Sequence, residues 1–302
     1  MKKKTIAVLA IWRDNEETLP RSLKQLESLE KKFNKKYDFF YSFYENDSKD
    51  HTFYILRKWL KARKGFIKGE KLNRRKYNSV KSTNRTEYLA AYRNKCLSNL
   101  KKINHEFLLI VDSEVIFSES QVEQMISCLI TFEDFGMITP NTVQNVQDHF
   151  EYNHKETYFD SWALIDKQNN GGLTFSANPF LTHLDRKKWD NFEHVFVKSA
   201  FGGLALVRSS VIKTGNFHWN GKNGCEHWSL GNFINNSGYK VVVDRKIKTH
   251  LKHDHEIIPD TFQLLRDKIR LKNSTTSKKN IVQKVRVLIS LLFINIINFL
   301  NR

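Results

Sequence analysis

The 302-residue sequence is poor in cysteine: only Cys96, Cys128 and Cys225 are present. The count is odd and no CxxC spacing occurs, which excludes a disulfide framework and points to a reducing compartment. Acid is scarce as well, with 32 Asp and Glu against 50 Lys and Arg, a formal net charge of +18. An excess of that size implies an anionic partner, whether nucleotide phosphates, an acidic membrane or nucleic acid, or else reflects a Lys- and Asn-rich genome. Long apolar runs are missing. Ile6 to Trp12 is at the short limit for a signal peptide and is followed by no small-residue cleavage site, so it reads as a buried first strand. Val287 to Asn301 is uncharged, yet it contains three asparagines and falls short of the roughly twenty apolar residues a spanning helix needs. There is no internal repeat. Glycine is absent from Ile11-Trp12-Arg13-Asp14-Asn15, which counts against the Gly-rich phosphate loop of a nucleotide-sugar pyrophosphorylase or nucleotidyltransferase.

What remains is an ordinary globular composition, 40% hydrophobic and 27% charged, able to bury a sizeable core. The order of elements is that of a doubly wound α/β domain. After the first strand, Thr18 and Pro20 open a helix that carries Leu19, Leu23, Leu26, Leu29 and Phe33 at helical spacing. Phe39 to Tyr44 reads as strand two, and a helix with Tyr54, Ile55 and Trp59 follows it. Lys64 to Lys81 is basic with few apolar anchors and reads as a loop. A helix over Arg85 to Leu100 precedes Phe107-Leu108-Leu109-Ile110-Val111, the clearest buried strand. Ser118-x-x-Gln121 is a capping box, and Gly136 to Thr139 looks like a short strand. Residues 141 to 198 are irregular in pattern and suggest a substrate-side insertion. Regular structure returns at Phe201 to Val207, in a helix after Cys225 and in a last strand over Tyr239 to Val243. The tail is basic from Arg266 to Arg286 and apolar from Val287. That pairing fits an interfacial membrane anchor over 281 to 302, or a helix packed on protein.

Several groups carry chemistry. Asp112-Ser113-Glu114 ends the clearest buried strand, where parallel sheets bind ligands. Two hard carboxylates spaced two apart suit Mn²⁺ or Mg²⁺ and a diphosphate, but a solvated turn has the same letters. Glu45-Asn46-Asp47-Ser48-Lys49-Asp50 can bond a base and ribose, or merely form a turn. Cys225-Glu226-His227 places a carboxylate at a helix start, as a general base for an acceptor hydroxyl or as a dipole partner. His250, His253 and His255 offer imidazoles to a metal. Arg93-Asn94 can meet phosphates or be a solvated helix charge. The aromatics of Tyr158 to Asp166 can form a sugar platform or a core.

Taken in order over residues 5 to 255, these pieces resemble the GT-A glycosyltransferases. The supporting motifs are the acid-rich turn at Glu45–Asp50, Arg93-Asn94, Asp112-Ser113-Glu114, the strand Phe201-Gly202-Gly203-Leu204-Ala205-Leu206-Val207 with Arg208-Ser209, the acid pair position Glu226-His227, and Gly238-Tyr239-Lys240 with His250. Glu45 to Thr52, Arg93-Asn94 and Tyr158 to Asp166 are similar to the fungal capsule-associated mannosyltransferases and related viral and bacterial enzymes. The resemblance implies an α/β, GT-A (nucleotide-diphospho-sugar transferase) fold, with a Rossmann-like, mainly parallel sheet flanked by helices. It implies a catalytic domain over 1–262 and a basic amphipathic tail over 263–302. Transfer of a hexose or related sugar from a UDP- or GDP-sugar to a glycan or lipid-linked glycan is the expected reaction. The expected place is the cytoplasmic face of a membrane, and nucleic acid is not an expected partner. The metal, Mn²⁺ or Mg²⁺, is assigned to Asp112 and Glu114 with His250. Ile11, Arg13, Glu45, Asp47, Arg93 and Asp112 fall to the donor nucleotide. Trp162, Asp166, Gly202 and Gly203 fall to acceptor or sugar, and Glu226 with His227 to catalysis. Two departures stand out: Glu114 replaces the family's usual Asp, and His227 replaces the second member of its Glu-Asp pair.

Overall fold

A computed structural model describes residues 3–77, 82–148, 153–252 and 261–275. The chain opens with β1 (Lys4–Trp12), α1 (Leu19–Phe33), β2 (Tyr37–Asn46), α2 (Thr52–Leu60), β3 (Gly65–Glu70), α3 (Thr83–Leu100) and β4 (Phe107–Val111). It continues with β5 (Val115–Ile116), α4 (Glu119–Thr131), β6 (Phe135–Asp148), β7 (Asn153–Tyr158), β8 (Ile165–Asp166), α5 (His183–Asp190) and β9 (Val195–Ser199). It closes with β10 (Leu204–Arg208), α6 (Ser209–Thr214), α7 (Glu226–Asn236), β11 (Lys240–Leu251) and α8 (Thr261–Thr275).

One sheet in the order β3-β2-β1-β4-β10-β6-β11-β9-β8 runs through the molecule. β1 pairs in parallel with β2 and β4, and β6 with β11. β10 is antiparallel to both β4 and β6, so it separates two parallel blocks that point the same way. The sheet has helices on both faces because its strands are apolar on both. Along β1, Ala7 and Leu9 join one core cluster, with Tyr92, Cys96 and Leu100 of α3 and Leu230 of α7. Ile6, Val8, Ala10 and Trp12 join the other, with Leu19, Leu23 and Leu26 of α1 and Val122 and Met125 of α4. That alternation is the period of two that a strand imposes on its side chains. The expected α/β class is thus observed, and the capping box holds: Ser118 N–H donates to Gln121 Oε1 at 2.7 Å.

Three stretches differ from the sequence reading. Gly65–Glu70 is strand β3, in register with β2 from Tyr41 to Asn46. It is an edge strand, held by backbone pairing and needing few apolar anchors. β6 runs well past Thr139, as far as Asp148, because its polar second half pairs with β7 and β11. Residues 141 to 198 are therefore no separate insertion, since β7, β8 and β9 all belong to the same sheet. The start of the tail docks on the domain. Thr174 N–H donates to Asp267 Oδ2 at 2.6 Å, and Arg270 Nη2 to the Gly171 carbonyl at 2.6 Å. No helix among the described residues is long and apolar enough to cross a membrane. The anchor expected over 281–302, together with His253 and His255, lies outside the described residues.

Candidate active site

The end of β4 is fixed from all sides. Ser113, 8% exposed, accepts Asn15 Nδ2 on its hydroxyl at 2.9 Å. Its carbonyl accepts Ser22 Oγ at 2.9 Å and Arg21 Nη2 at 3.1 Å. The two acids around it remain accessible: the Asp112 side chain is 38% exposed, and Glu114 is exposed. Desolvation and then the neighbouring Asp112 charge push the Glu114 carboxyl up, while Arg85 and Arg21 pull against them. An accessible pair of carboxylates on one turn is an all-oxygen set of the kind that suits a hard ion. His250 stands on β11 opposite Ile116 of β5, just past this turn. Its imidazole, Asp112 and Glu114 do not all bring a ligand atom within 4.8 Å of one another. Among the described residues, the only trio of His, Cys, Asp or Glu with ligand atoms within 4.8 Å of one another is Cys128, His194 and Asp244.

Behind Asp112 lies a buried ionic core. Arg93, on α3, is 2% exposed. Its Nη2 donates to Asp112 Oδ1 at 3.2 Å and its Nε to Glu226 Oε1 at 3.3 Å. Burial works against the guanidinium charge, and the two carboxylates more than restore it. Glu226 and His227 open α7, each 3% exposed. The His227 ring stacks on Phe201 at 3.7 Å, with Nε2 3.5 Å from Glu226 Oε1. Burial and the Arg93 charge hold its pKa well below the usual histidine range, so the ring is neutral. Arg93 is thus placed to orient Asp112 and Glu226 through its Nη2 and Nε.

The turn between Phe201 and β10 closes the site. Gly202 and Gly203 have φ of 67° and 76°, a left-handed backbone that favours glycine. A Cβ on Gly202 would come 2.9 Å from Thr142 Oγ1. The Gly203 carbonyl accepts Asp112 N–H at 2.8 Å. Gly202 N–H donates at 3.2 Å to Asp160, a residue the sequence reading passed over. Asp160 also has positive φ, 64°, and accepts Ala163 N–H at 3.2 Å. Burial first, then the charges of Glu226 and Asp112, raise its carboxyl to about 7, against two backbone hydrogen bonds that lower it. Its only sequence signal was an Asp, a residue tolerant of the left-handed region, at the end of a strand.

On the other side of Asp112 a cleft of about 360 Å³ is lined by Ile11, Arg13, Arg74, Tyr88, Tyr92 and Glu114. It adjoins a larger cavity of about 980 Å³ bordered by Glu45, Asp47 and the basic residues Lys71, Arg74, Arg75 and Lys76. The strap 71–77 forms the shared wall. Asp47, at φ 56°, accepts the backbone N–H groups of Leu72, Asn73 and Arg74 at 2.6, 2.7 and 3.0 Å. These bonds, together with one from the Asn46 amide, hold the Asp47 carboxyl low against desolvation. Arg13 Nη2 donates to the Arg74 carbonyl at 2.5 Å, and the Arg74 guanidinium lies 3.6 Å over the Tyr88 ring. Glu45 is 5% exposed and accepts Ser48 N–H at 2.8 Å. Asp47 and Glu45 therefore build the cavity walls.

Asp166 and Trp162 have local partners of their own. Asp166, 2% exposed, accepts Gln168 and Asn170 N–H at 2.9 and 2.7 Å and so organises its own turn. Trp162 accepts Trp228 Nε1 on its carbonyl at 3.0 Å, and the two rings meet edge-on 6.2 Å apart. The pair packs at the margin of the core.

An acid turn at the carboxyl end of a parallel strand thus lies beside a glycine turn and, through Arg93, is tied to a helix-opening glutamate, as the resemblance to the glycosyltransferases implies. The chain belongs to the cryptococcal mannosyltransferase 1 family, whose profile matches residues 5–237. No curated protein matches the chain. Among solved structures it is similar to S. aureus TarS 1-349, at 12% identity and a TM-score of 0.46 over 91% of this chain and 67% of that one. The same protein in complex with UDP-GlcNAc matches at 15% identity and a TM-score of 0.47, over 95% and 71%. Mannosyltransferase PcManGT from Pyrobaculum calidifontis, in complex with GDP-Man and Mn²⁺, matches at 10% identity and a TM-score of 0.48, over 92% and 66%.

Proposed function

We propose that the protein transfers a hexose from a UDP- or GDP-sugar to a glycan or lipid-linked glycan, and that GDP-mannose is the first donor to test. The family's description favours mannose. The observation that carries the reading is the convergence of Asp112, Glu114, Glu226, Asp160 and the Gly202–Gly203 turn beside a cleft with basic walls. The nucleoside diphosphate occupies that cleft, its charge met by Arg74, Arg75 and Lys76 of the strap. Asp112 and Glu114 would hold Mn²⁺ or Mg²⁺, which when bound neutralises the leaving diphosphate as a Lewis acid. Arg93 holds Asp112 and Glu226 at fixed separation, so the acid turn is preorganised rather than assembled on binding. Asp160 is the group best suited to accept a proton from the acceptor hydroxyl. Its carboxyl titrates close to neutrality, whereas Glu226 already accepts a hydrogen bond from Arg93. Residues 1–262 are the catalytic unit, and 281–302 the anchor that keeps the enzyme at the cytoplasmic membrane face.

The first experiment is a thermal-shift panel of UDP, GDP and their sugars, each with and without Mn²⁺. A metal-dependent rise in melting temperature for one nucleotide class is expected, since ligands that bind only the native state stabilise it. No rise with any of them would remove the donor assignment. Deleting 281–302 and finding an unchanged membrane fraction would remove the anchor.

A further inference from the structure

A second cluster lies away from the cleft, on the α4 side of the sheet. It gathers Cys128 from α4, His194 from the turn before β9, and Asp244 from β11. β9 and β11 pair with Val195 opposite Val243, which sets His194 beside Asp244. His194 Nε2 lies 3.2 Å from Asp244 Oδ2, and one ligand atom from each of the three residues lies within 4.8 Å of the others. Asp244 is 3% exposed and its other oxygen accepts Lys246 N–H at 2.8 Å. The imidazole is held edge to face by Phe132 and Phe135, both with centroids 5.3 Å away. His194 and Cys128 are only half-buried, so solvent reaches the cluster.

The His–Asp ion pair engages two of these residues, and the Cys128 side chain, packed at the edge of the core, faces the same imidazole. Tetrahedral zinc with Zn–S of about 2.3 Å and Zn–N or Zn–O of about 2.0–2.1 Å places its ligands roughly 3.3–3.6 Å apart. The spacing here is within a small side-chain adjustment of that. We propose that Cys128, His194 and Asp244 form a three-ligand site for a thiophilic divalent ion of the zinc type, with solvent as fourth ligand, separate from the hard-ion pair Asp112 and Glu114. A thiolate and an imidazole select zinc over Mg²⁺ or Mn²⁺. One thiolate and one carboxylate neutralise the dication; as it binds, the Cys128 thiol proton and the His194 imidazolium proton shared with Asp244 both leave to solvent. The buried carboxylate, fixed by Lys246, and the ring, fixed by two phenylalanines, are the preorganised part. Cys128 is the ligand that completes it.

The test uses the full chain, reduced and metal-free, with Asp112 and Glu114 both changed to alanine to silence the cleft. Titration with Co²⁺ should give a thiolate-to-cobalt charge-transfer band, removed by one equivalent of Zn²⁺. Cys128→Ser should lose the band, and His194→Gln should weaken binding at least tenfold. Mass spectrometry of the otherwise unmutated thiols adds a reading that requires no cysteine variant: Zn²⁺ should protect Cys128 from alkylation. The proposal is overturned if folded protein gives no charge-transfer band, if the band survives Cys128→Ser, or if Zn²⁺ leaves Cys128 alkylation unchanged.

Discussion

Arg93 Nε and Glu226 Oε1 sit 3.3 Å apart with both side chains almost wholly buried, while the next nitrogen of the same guanidinium reaches Asp112. One cation thus joins the turn after β4 to the first residue of α7. Removing it strands a carboxylate in the interior. Arg93→Ala should cost about 3–5 kcal/mol, the usual penalty for breaking a buried pair from one side. Urea denaturation measures it, and a loss below about 1 kcal/mol would show that the pair is relaxed in solution. Arg93→Lys should recover part of the stability but little activity, because one ammonium cannot span both carboxylates in the geometry of the guanidinium fork.

Asp160 should make metal-free stability fall as pH rises. Its folded carboxyl titrates at about 7, above the ordinary aspartate value of 3.8. The folded state therefore binds the proton more tightly, and stability declines between about pH 4 and pH 7 as ionisation is forced. Asp160→Asn should melt higher than the parent at pH 8, converge with it at low pH, and transfer sugar at least a hundredfold more slowly. Melting curves across pH in the presence of a chelator, with one activity assay, decide both points. Undiminished turnover would exclude Asp160 as the base.

Asp47 should govern the strap and, through it, donor affinity. Its carboxylate accepts three consecutive backbone N–H groups. Asp47→Ala leaves all three without that acceptor, at about 1 kcal/mol or more each where they stay shielded from water. Limited trypsin digestion should then cut faster after Arg74, Arg75 and Lys76, and the donor KM should rise about tenfold or more with a smaller change in kcat. Equal proteolysis of variant and parent would mean that the strap is held by Arg74 on Tyr88 instead.

His194 shows a stability loss in a higher pH range. Hydrogen bonding with Asp244 and Cys128 raises its pKa to about 9 from 6.5. The ion pair therefore contributes its full stabilisation below about pH 6.5 and loses it as pH climbs through 9. In chelator, His194→Gln should flatten that part of the stability profile. An unchanged slope between pH 6.5 and 9 would discount the pair.

The strands most plainly written in the sequence were those buried on both faces. Phe107 to Val111 is apolar at every position, and no other described strand of five or more residues gives that pattern. β3 was invisible because Phe66 and Ile67 are its only large apolar residues and its support comes from the backbone of β2. The second half of β6 is polar, and pairing rather than hydrophobicity makes it a strand. In the site, Asp112 and Glu114 could be read from their place after β4. The work of Arg93 could not, since helical periodicity places it on α3 without saying that Glu226, distant in sequence, packs under it. Asp47 was read as a nucleotide contact or a turn former and Asp166 as a sugar contact, yet only the three-dimensional partners distinguish a carboxylate that organises its own loop from one left for a ligand. Asp160 belongs to the same lesson in reverse: its raised titration arises first from burial and then from Glu226 and Asp112, none of which its local sequence shows.

The reversed strand β10 has a consequence for how such a site changes. Its neighbour β4 delivers its last residue to the ligand edge, and β10 delivers its first. The acid turn and the glycine turn therefore hang from opposite ends of two adjacent strands, joined by one backbone bond from Asp112 to Gly203. Ala200 and Phe201, on the approach to Gly202, pack in the same core cluster as Leu108 and Ile110, so a change beside the glycine turn is felt along the run that carries the acids.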